Sequence, residues 1–173
     1  MKKYILLVLM SVSLLHAKNS REQLGDILQL AVPLYAYGLT VAKEDHEGSI
    51  QLCKAYTATI SMTYVLKYSI DAKRPLTNAL DSFPSGHTSS AFSGASFIHK
   101  RYGFKDAFLP YLVASFTAYS RVQAKRHHIR DVLAGAVLGS FVTWAFTSSE
   151  HEHIRLNSYM GASYKTIQVI FDL

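Results

Sequence analysis

The sequence predicts an all-α protein: a compact helical bundle of about five core helices, with a signal-like apolar helix in front and a short C-terminal β segment or hairpin behind. Three observations predict it. Apolar residues recur at three- and four-residue spacing through much of the chain, the period of one helix face. Five runs without a charge, at 27–42, 55–66, 88–98, 107–120 and 132–149, are separated by short polar, glycine- or proline-bearing breaks. Only the tail alternates: in YKTIQVIFDL, Ile167, Val169, Phe171 and Leu173 fall on every second position, the period of a strand.

Composition agrees with a folded chain. Hydrophobic residues make up 49% of the 173 and charged ones 17%, which excludes intrinsic disorder. No internal repeat, low-complexity tract or linker divides the chain, so one domain is expected. The formal net charge of +6 suits anionic partners such as phosphorylated small molecules, anionic lipid or nucleic acid.

The elements follow in order. MKKYILLVLMSVSLLHAKNS has two lysines, an apolar stretch from Ile5 to Leu15 and a small residue, Ala17, before a polar segment. That is a secretory signal pattern, shorter than the ~20 residues of a bilayer span. The expectation is a signal peptide over 1–17, a single domain over 18–173, and export to the periplasm or cell envelope. Helix one is expected over Glu22–Lys43, from Leu24, Ile27, Leu28, Ala31, Leu34 and Tyr35, with a kink at Pro33. Helix two is expected over Ile50–Lys73, because Pro75 pushes Arg74 away from helical geometry. After the loop LTNALDSFPSG, helix three runs from His87 to a stop at Tyr102-Gly103. Its sequence TSSAFSGASFI is small on almost every face, which suits a central position in the bundle.

Helix four is expected over Lys105–Ser120 and helix five over His127–Thr147. His151-Glu152-His153 then reads as a solvated connector rather than a metal site. Of the uncharged runs only 132–149 approaches a span, so the preferred reading is a soluble bundle docked by its basic face on an anionic membrane surface. The rival is an integral protein. The single cysteine, Cys53, cannot form an internal disulfide, and its apolar setting predicts a buried, inert thiol.

Three stretches bear chemistry. In KYSIDAKRP, Lys67 and Arg74 lie seven apart and point the same way if the helix persists to Lys73. In FPSGHTSS, Ser85 can cap the following helix, Gly86 permits close backbone approach, and free N–H groups at the helix start form an anion site beside His87. In SRVQAKRHHIRDV, Arg121, Lys125, Arg126 and Arg130 supply charge. Both His127 and His128 lie within one helical turn of Asp131, which can hold one imidazole nitrogen and leave the other free. Helical spacing alone does not choose between the two histidines.

Lys67-six residues-Arg74-Pro75, Pro84-Ser85-Gly86-His87 and Ser120-Arg121-five residues-His127-three residues-Asp131 together resemble the three-part signature of the type 2 phosphatidic-acid phosphatase superfamily. That group includes bacterial class A acid phosphatases and vanadium haloperoxidases. The loop between Pro75 and Pro84 is shorter than is usual there. The resemblance implies that 18–173 is one phosphatase domain without metal or other cofactor. It further implies that Lys67, Arg74 and Arg121 bind phosphate oxygens, and that Ser85 and the N–H groups near Gly86 complete the cradle. His127, oriented by Asp131, is the implied nucleophile, and His87 the implied acid and then base. His128 falls on a spacer position. The implied substrate is a lipid phosphate or isoprenoid diphosphate, with soluble phosphomonoesters as the alternative and no nucleic acid partner. A haloperoxidase would be expected to be much longer, and a non-catalytic anion binder would leave the placement of His127, Asp131 and His87 unexplained.

Overall fold

The computed structural model describes residues 20–150 and, for the backbone alone, 154–160 and 165–171. The expected signal segment and the connector at 151–153 lie outside the described residues. Five helices make up the described body: α1 (Ser20–Ala42), α2 (His46–Ser69), α3 (Gly86–Tyr102), α4 (Phe104–Gln123) and α5 (Ile129–Phe146). The two C-terminal segments, Ile154–Met160 and Lys165–Phe171, run extended and antiparallel to each other.

Three of the four connections are short and the fourth, residues 70–85, folds back on itself, so successive helices turn back on one another. Gly103, at φ 99°, is the whole joint between α3 and α4, a conformation open to glycine. The central position expected for the small-residue helix is observed: α3 packs on each of the other four. Close approach is the reason for its composition. A Cβ on Gly94 would lie 2.6 Å from the Pro33 nitrogen of α1, and one on Gly135 of α5 would lie 2.6 Å from the Ser85 carbonyl oxygen. Hydroxyls pair across the remaining gaps: Ser93 with Thr143 at 2.8 Å, Ser96 with Ser140 at 2.8 Å and Thr63 with Ser89 at 2.9 Å.

The interior is therefore small and hydroxylated. Ala36, Ala55, Ala91, Ala95, Ala107 and Ala114 are buried with Thr40, Thr59, Ser89 and Ser96, and the larger buried apolar side chains include Leu52, Phe97 and Ile98. Large apolar side chains point outward instead: Leu34 and Val41 on α1, Met62 and Val65 on α2, Leu109 and Leu112 on α4, Val137 and Phe141 on α5. The runs read in sequence as the core of a soluble bundle thus supply their small residues to the core and their large ones to the surface. Cys53 follows the same pattern. It is exposed, not buried as its apolar neighbours suggest, because it lies on the outer face of α2.

Three helix ends differ most from their sequence expectations. α2 begins at His46 rather than Ile50, because the Asp45 carboxylate caps it by accepting from the Gly48 N–H at 2.8 Å. α2 stops at Ser69, since Ile70 turns extended and residues 72–74 take backbone partners from 79–82: Ala72 N–H to the Leu80 carbonyl, Arg74 N–H to Ala79 and Ala72 carbonyl to Ser82 N–H. α5 begins at Ile129, so both histidines precede it.

At the end of the bundle holding the α1–α2 connection, Arg101 and Asp45 form a bidentate pair, Nε to Oδ2 at 2.8 Å and Nη2 to Oδ1 at 2.7 Å. Tyr102 Oη also donates to Asp45 Oδ2 at 2.8 Å, and Arg101 Nη1 reaches the Ser148 carbonyl at 3.2 Å. This clasp joins the α1–α2 turn to the ends of α3 and α5.

Candidate active site

The opposite end of the bundle gathers the start of α1, the end of α2, the start of α3, the end of α4 and the turn before α5. A cavity of about 590 Å³ opens there, lined by Asp26, Lys67, Arg74, Gly86, His87, Arg121 and His127 among others. Six of the eight residues singled out from sequence face one space. The other two, Ser85 and Asp131, are buried beside it rather than lining it.

Arg74 arrives by a different route from the one its spacing suggests. Because α2 ends at Ser69, two-turn helical phasing does not align it with Lys67. The folded-back loop carries it, and a bidentate pair with Asp81 fixes its guanidinium, Nε to Oδ1 at 2.8 Å and Nη2 to Oδ2 at 2.9 Å. Lys67 donates to the Asp81 carbonyl oxygen at 2.6 Å. The Arg74 hydrogen bonds hold the Asp81 carboxyl at about 2, well below the usual carboxylate range. Burial pulls the Lys67 ammonium below its ordinary value.

Ser85 is the residue before α3, but its side chain does not cap that helix. Its hydroxyl accepts from Thr88 Oγ1 at 3.1 Å, and its N–H donates to the Asp131 carbonyl at 2.9 Å. Ser85 thus ties α3 to α5, while Gly86 and His87 face the cavity.

The two adjacent histidines differ in burial and in their access to the cavity. His127 is buried and enters the cavity. His128 is exposed and stays out of that cavity; it lines a surface depression with Pro75, Val122 and Lys125, which His127 also borders. His127 Nδ1 lies 2.8 Å from the Ser82 carbonyl oxygen. A carbonyl only accepts, so Nδ1 carries the proton and Nε2 keeps its lone pair. Burial, then the charges of Lys67 and Arg74, lower the His127 pKa to about 4, so the ring is neutral at ordinary pH.

Asp131 acts less directly than its spacing suggests. Its Oδ2 stands 3.8 Å from His127 Nδ1 and accepts instead from Ser82 Oγ at 2.6 Å and from the His128 backbone N–H at 2.8 Å. The reason is the late start of α5: residue 127 is not helical, so four-residue helical phasing does not apply. Ser82 is consequently the residue that sequence reasoning missed, joining the Asp131 carboxylate through its hydroxyl to the His127 ring through its carbonyl.

Asp26 of α1 was also missed. Its Oδ1 lies 2.6 Å from Arg121 Nη1 and 2.8 Å from His87 Nε2. Arg121 is buried, and its Nε also donates to Ser120 Oγ at 3.2 Å. Burial, then the charge of Arg121, lowers the His87 pKa below 6.5. The one available signal for Asp26 is its isolated charge at the head of the uncharged run 27–42.

Chemically the site offers four cations (Lys67, Arg74, Arg121 and Arg126), a deprotonated imidazole nitrogen and a second imidazole around one cavity. That set suits a tetrahedral anion attacked by nitrogen, with side-chain charge stabilising the transition state.

Residues 48–155 match the family model described as the PAP2 superfamily. The lipid A 4'-phosphatase of Helicobacter pylori is 33% identical over 136 residues, covering 72% of this chain and 66% of that protein. The lipid A 1-phosphatase of Porphyromonas gingivalis is 44% identical over 79 residues, covering 44% of this chain and 18% of that one. The probable lipid phosphate phosphatase 4 of Arabidopsis thaliana is 37% identical over 84 residues, covering 40% and 27%. The chain thus spans less than two thirds of the length of each of these relatives. No solved structure matches it significantly.

Proposed function

This chain belongs to the PAP2 superfamily, and from that membership we propose a metal-independent phosphatase of the cell envelope that hydrolyses a lipid phosphate or isoprenoid diphosphate through a phosphohistidine. The carrying observation is the convergence of Lys67, Arg74, Arg121, His87 and His127 on one cavity. Lys67, Arg74 and Arg121 bind the phosphate oxygens, with the start of α3 at Gly86 beside them. His127 Nε2 attacks phosphorus as the bond to the leaving oxygen breaks, and protonated His87 gives that oxygen its proton. Neutral His87 then takes a proton from water, the hydroxide attacks phosphorus, and the P–N bond breaks to release phosphate and neutral His127. Asp131, through Ser82, steadies the His127 ring during the cycle.

The outer surface supports a substrate in a membrane, and an enzyme embedded there. Large apolar side chains on α1, α2, α4 and α5 face outward, an arrangement costly in water and favourable in hydrocarbon. The uncharged parts of the helices, 27–42, 55–66, 88–98, 107–120 and 132–149, form a belt with the charged groups at its two ends. Two helices, Gln23–Ala42 and Ile129–Phe146, are long and apolar enough to cross a bilayer. Exposed aromatics mark both ends, Tyr64, Tyr68 and Tyr119 near the site and Phe104, Trp144 and Phe146 opposite, as at membrane–water boundaries. Leu30, Tyr56, Ile60 and Tyr64 make an apolar wall on the cavity that suits a lipid chain. The leader-like start and strand-like tail belong to the same proposal, with the catalytic end facing the periplasm after cleavage behind Ala17.

The test is release of phosphate from lipid phosphates and from soluble monoesters by the detergent-extracted chain. Lipid phosphates are expected to be hydrolysed faster, with full activity in a chelator and inhibition by vanadate, a transition-state mimic. Faster cleavage of soluble esters overturns the lipid assignment, and release of the protein from membranes by carbonate alone overturns the embedding.

The two histidines also set a pH dependence. The nucleophile must be unprotonated, so kcat/KM is expected to rise with pH through about 4 as His127 loses its proton. The acid must be protonated, so kcat/KM falls again as His87, held below 6.5, loses its own. A pH profile of kcat/KM is expected to show an acid-side maximum between those limbs.

A further inference from the structure

We propose that Asp26 is a positioning residue for the reaction, pairing with His87 as a second histidine–carboxylate dyad facing the one built around His127. This rests on the phosphatase reading of the site. Asp26 belongs to α1, which lies outside the family-matched residues 48–155, so no part of the matched signature supplies it.

The geometry is specific. One carboxylate oxygen, Oδ1, takes both His87 Nε2 at 2.8 Å and Arg121 Nη1 at 2.6 Å. A carboxylate accepts only, so the bond keeps a proton on His87 Nε2. The other ring nitrogen is then the one that trades a proton with the leaving oxygen and with water. In the same contact Asp26 draws Arg121, a phosphate-binding cation, toward the acid histidine. α1 is held where it can do this by close packing: a Cβ on Gly25 would collide with Ser120 Oγ and the Arg121 guanidinium.

His87 is surrounded mostly by positive charge. Arg121 faces it from α4, Arg126 from the turn after α4, Arg74 from the loop after α2 and Lys67 from α2, while Asp81 pairs with Arg74, and His127, with buried Asp131 behind it, stands before α5. Within this set the Asp26 carboxylate is the negative group in direct contact with the ring. Its loss is therefore expected to make His87 harder to protonate, which lowers the fraction of the acid that carries its proton without removing the group.

The test compares wild type, Asp26→Asn and Asp26→Glu as full chains in detergent, with a short-chain phosphatidic acid as substrate. For Asp26→Asn, kcat is expected to fall roughly 10- to 100-fold, KM to stay within about threefold, and the alkaline limb of the pH profile to move to lower pH. Asp26→Glu, keeping the charge, is expected to recover part of kcat and the position of that limb. Asp26→Asn is expected to add little in a His87→Ala background, since the two act as a unit. An unchanged kcat, an unmoved alkaline limb, or tighter vanadate inhibition with activity retained overturns the proposal; the last would make Asp26 a mere occupant of the phosphate position. Histidine ¹⁵N NMR of the same proteins reports the His87 tautomer and its titration without turnover. An inactive wild type would overturn the phosphatase reading, whereas identical His87 titrations in wild type and Asp26→Asn would overturn the dyad.

Discussion

His127→Ala is expected to abolish turnover, while His128→Ala keeps most of it. His127 is buried in the cavity with Nδ1 on the Ser82 carbonyl and Nε2 free, whereas His128 is exposed and stays out of that cavity. Loss of a covalent nucleophile removes the reaction path itself, so the fall in kcat is expected to reach about 10⁴-fold or more. Brief reaction with ³²P-labelled substrate followed by quenching is expected to leave an acid-labile phosphoryl group on wild type and none on His127→Ala. Equal loss in both variants, each folded, would move the nucleophile away from His127.

The largest stability effect is expected at the far end of the bundle. Arg101 is 2% exposed and Asp45 7%, and they meet through two hydrogen bonds. Arg101→Ala strands a buried carboxylate, which costs about 3–5 kcal/mol. Asp45→Asn combined with Arg101→Met removes both charges and is expected to recover much of that loss. Thermal unfolding in detergent measures both. The same pair gives a pH signature. Arg101 holds the Asp45 pKa at about 2, below its ordinary 3.8. A depressed carboxyl stabilises the fold above its unfolded pKa, here by about 2 kcal/mol, and that stability is lost as pH falls from about 4 through about 2. In Arg101→Ala this acid-induced loss is expected to shrink. Activity lost in step with unfolding, and intact at low temperature, would separate this clasp from the catalytic end.

Much of both fold and site is legible in sequence. The helices α1, α3 and α4 fall within two or three residues of their expected limits, because apolar period, glycine stops and loop breaks are local properties of the chain. The small-residue composition of α3 marks its central place in the sequence itself, since only small side chains let several helices approach at once. The three motif stretches likewise identify Lys67, Arg74, His87, Arg121 and His127, all of which line one cavity.

What the sequence determined by itself is thus the helical segments and the residue types that carry the chemistry. Tertiary structure alone decided how those residues are held. Ser82 reaches His127 across 45 positions, and Asp26 reaches His87 across 61 and Arg121 across 95. Helical phase predicts neighbours only within a turn or two, whereas these contacts depend on which helix ends meet. The same limit explains Arg74, brought in by a loop whose backbone pairs with 79–82 in place of a longer α2. It explains the outward large side chains too: periodicity tells which residues share a face, and the packing of small against small in the centre decides that the face with Leu109, Val137 and Phe141 looks away from the core.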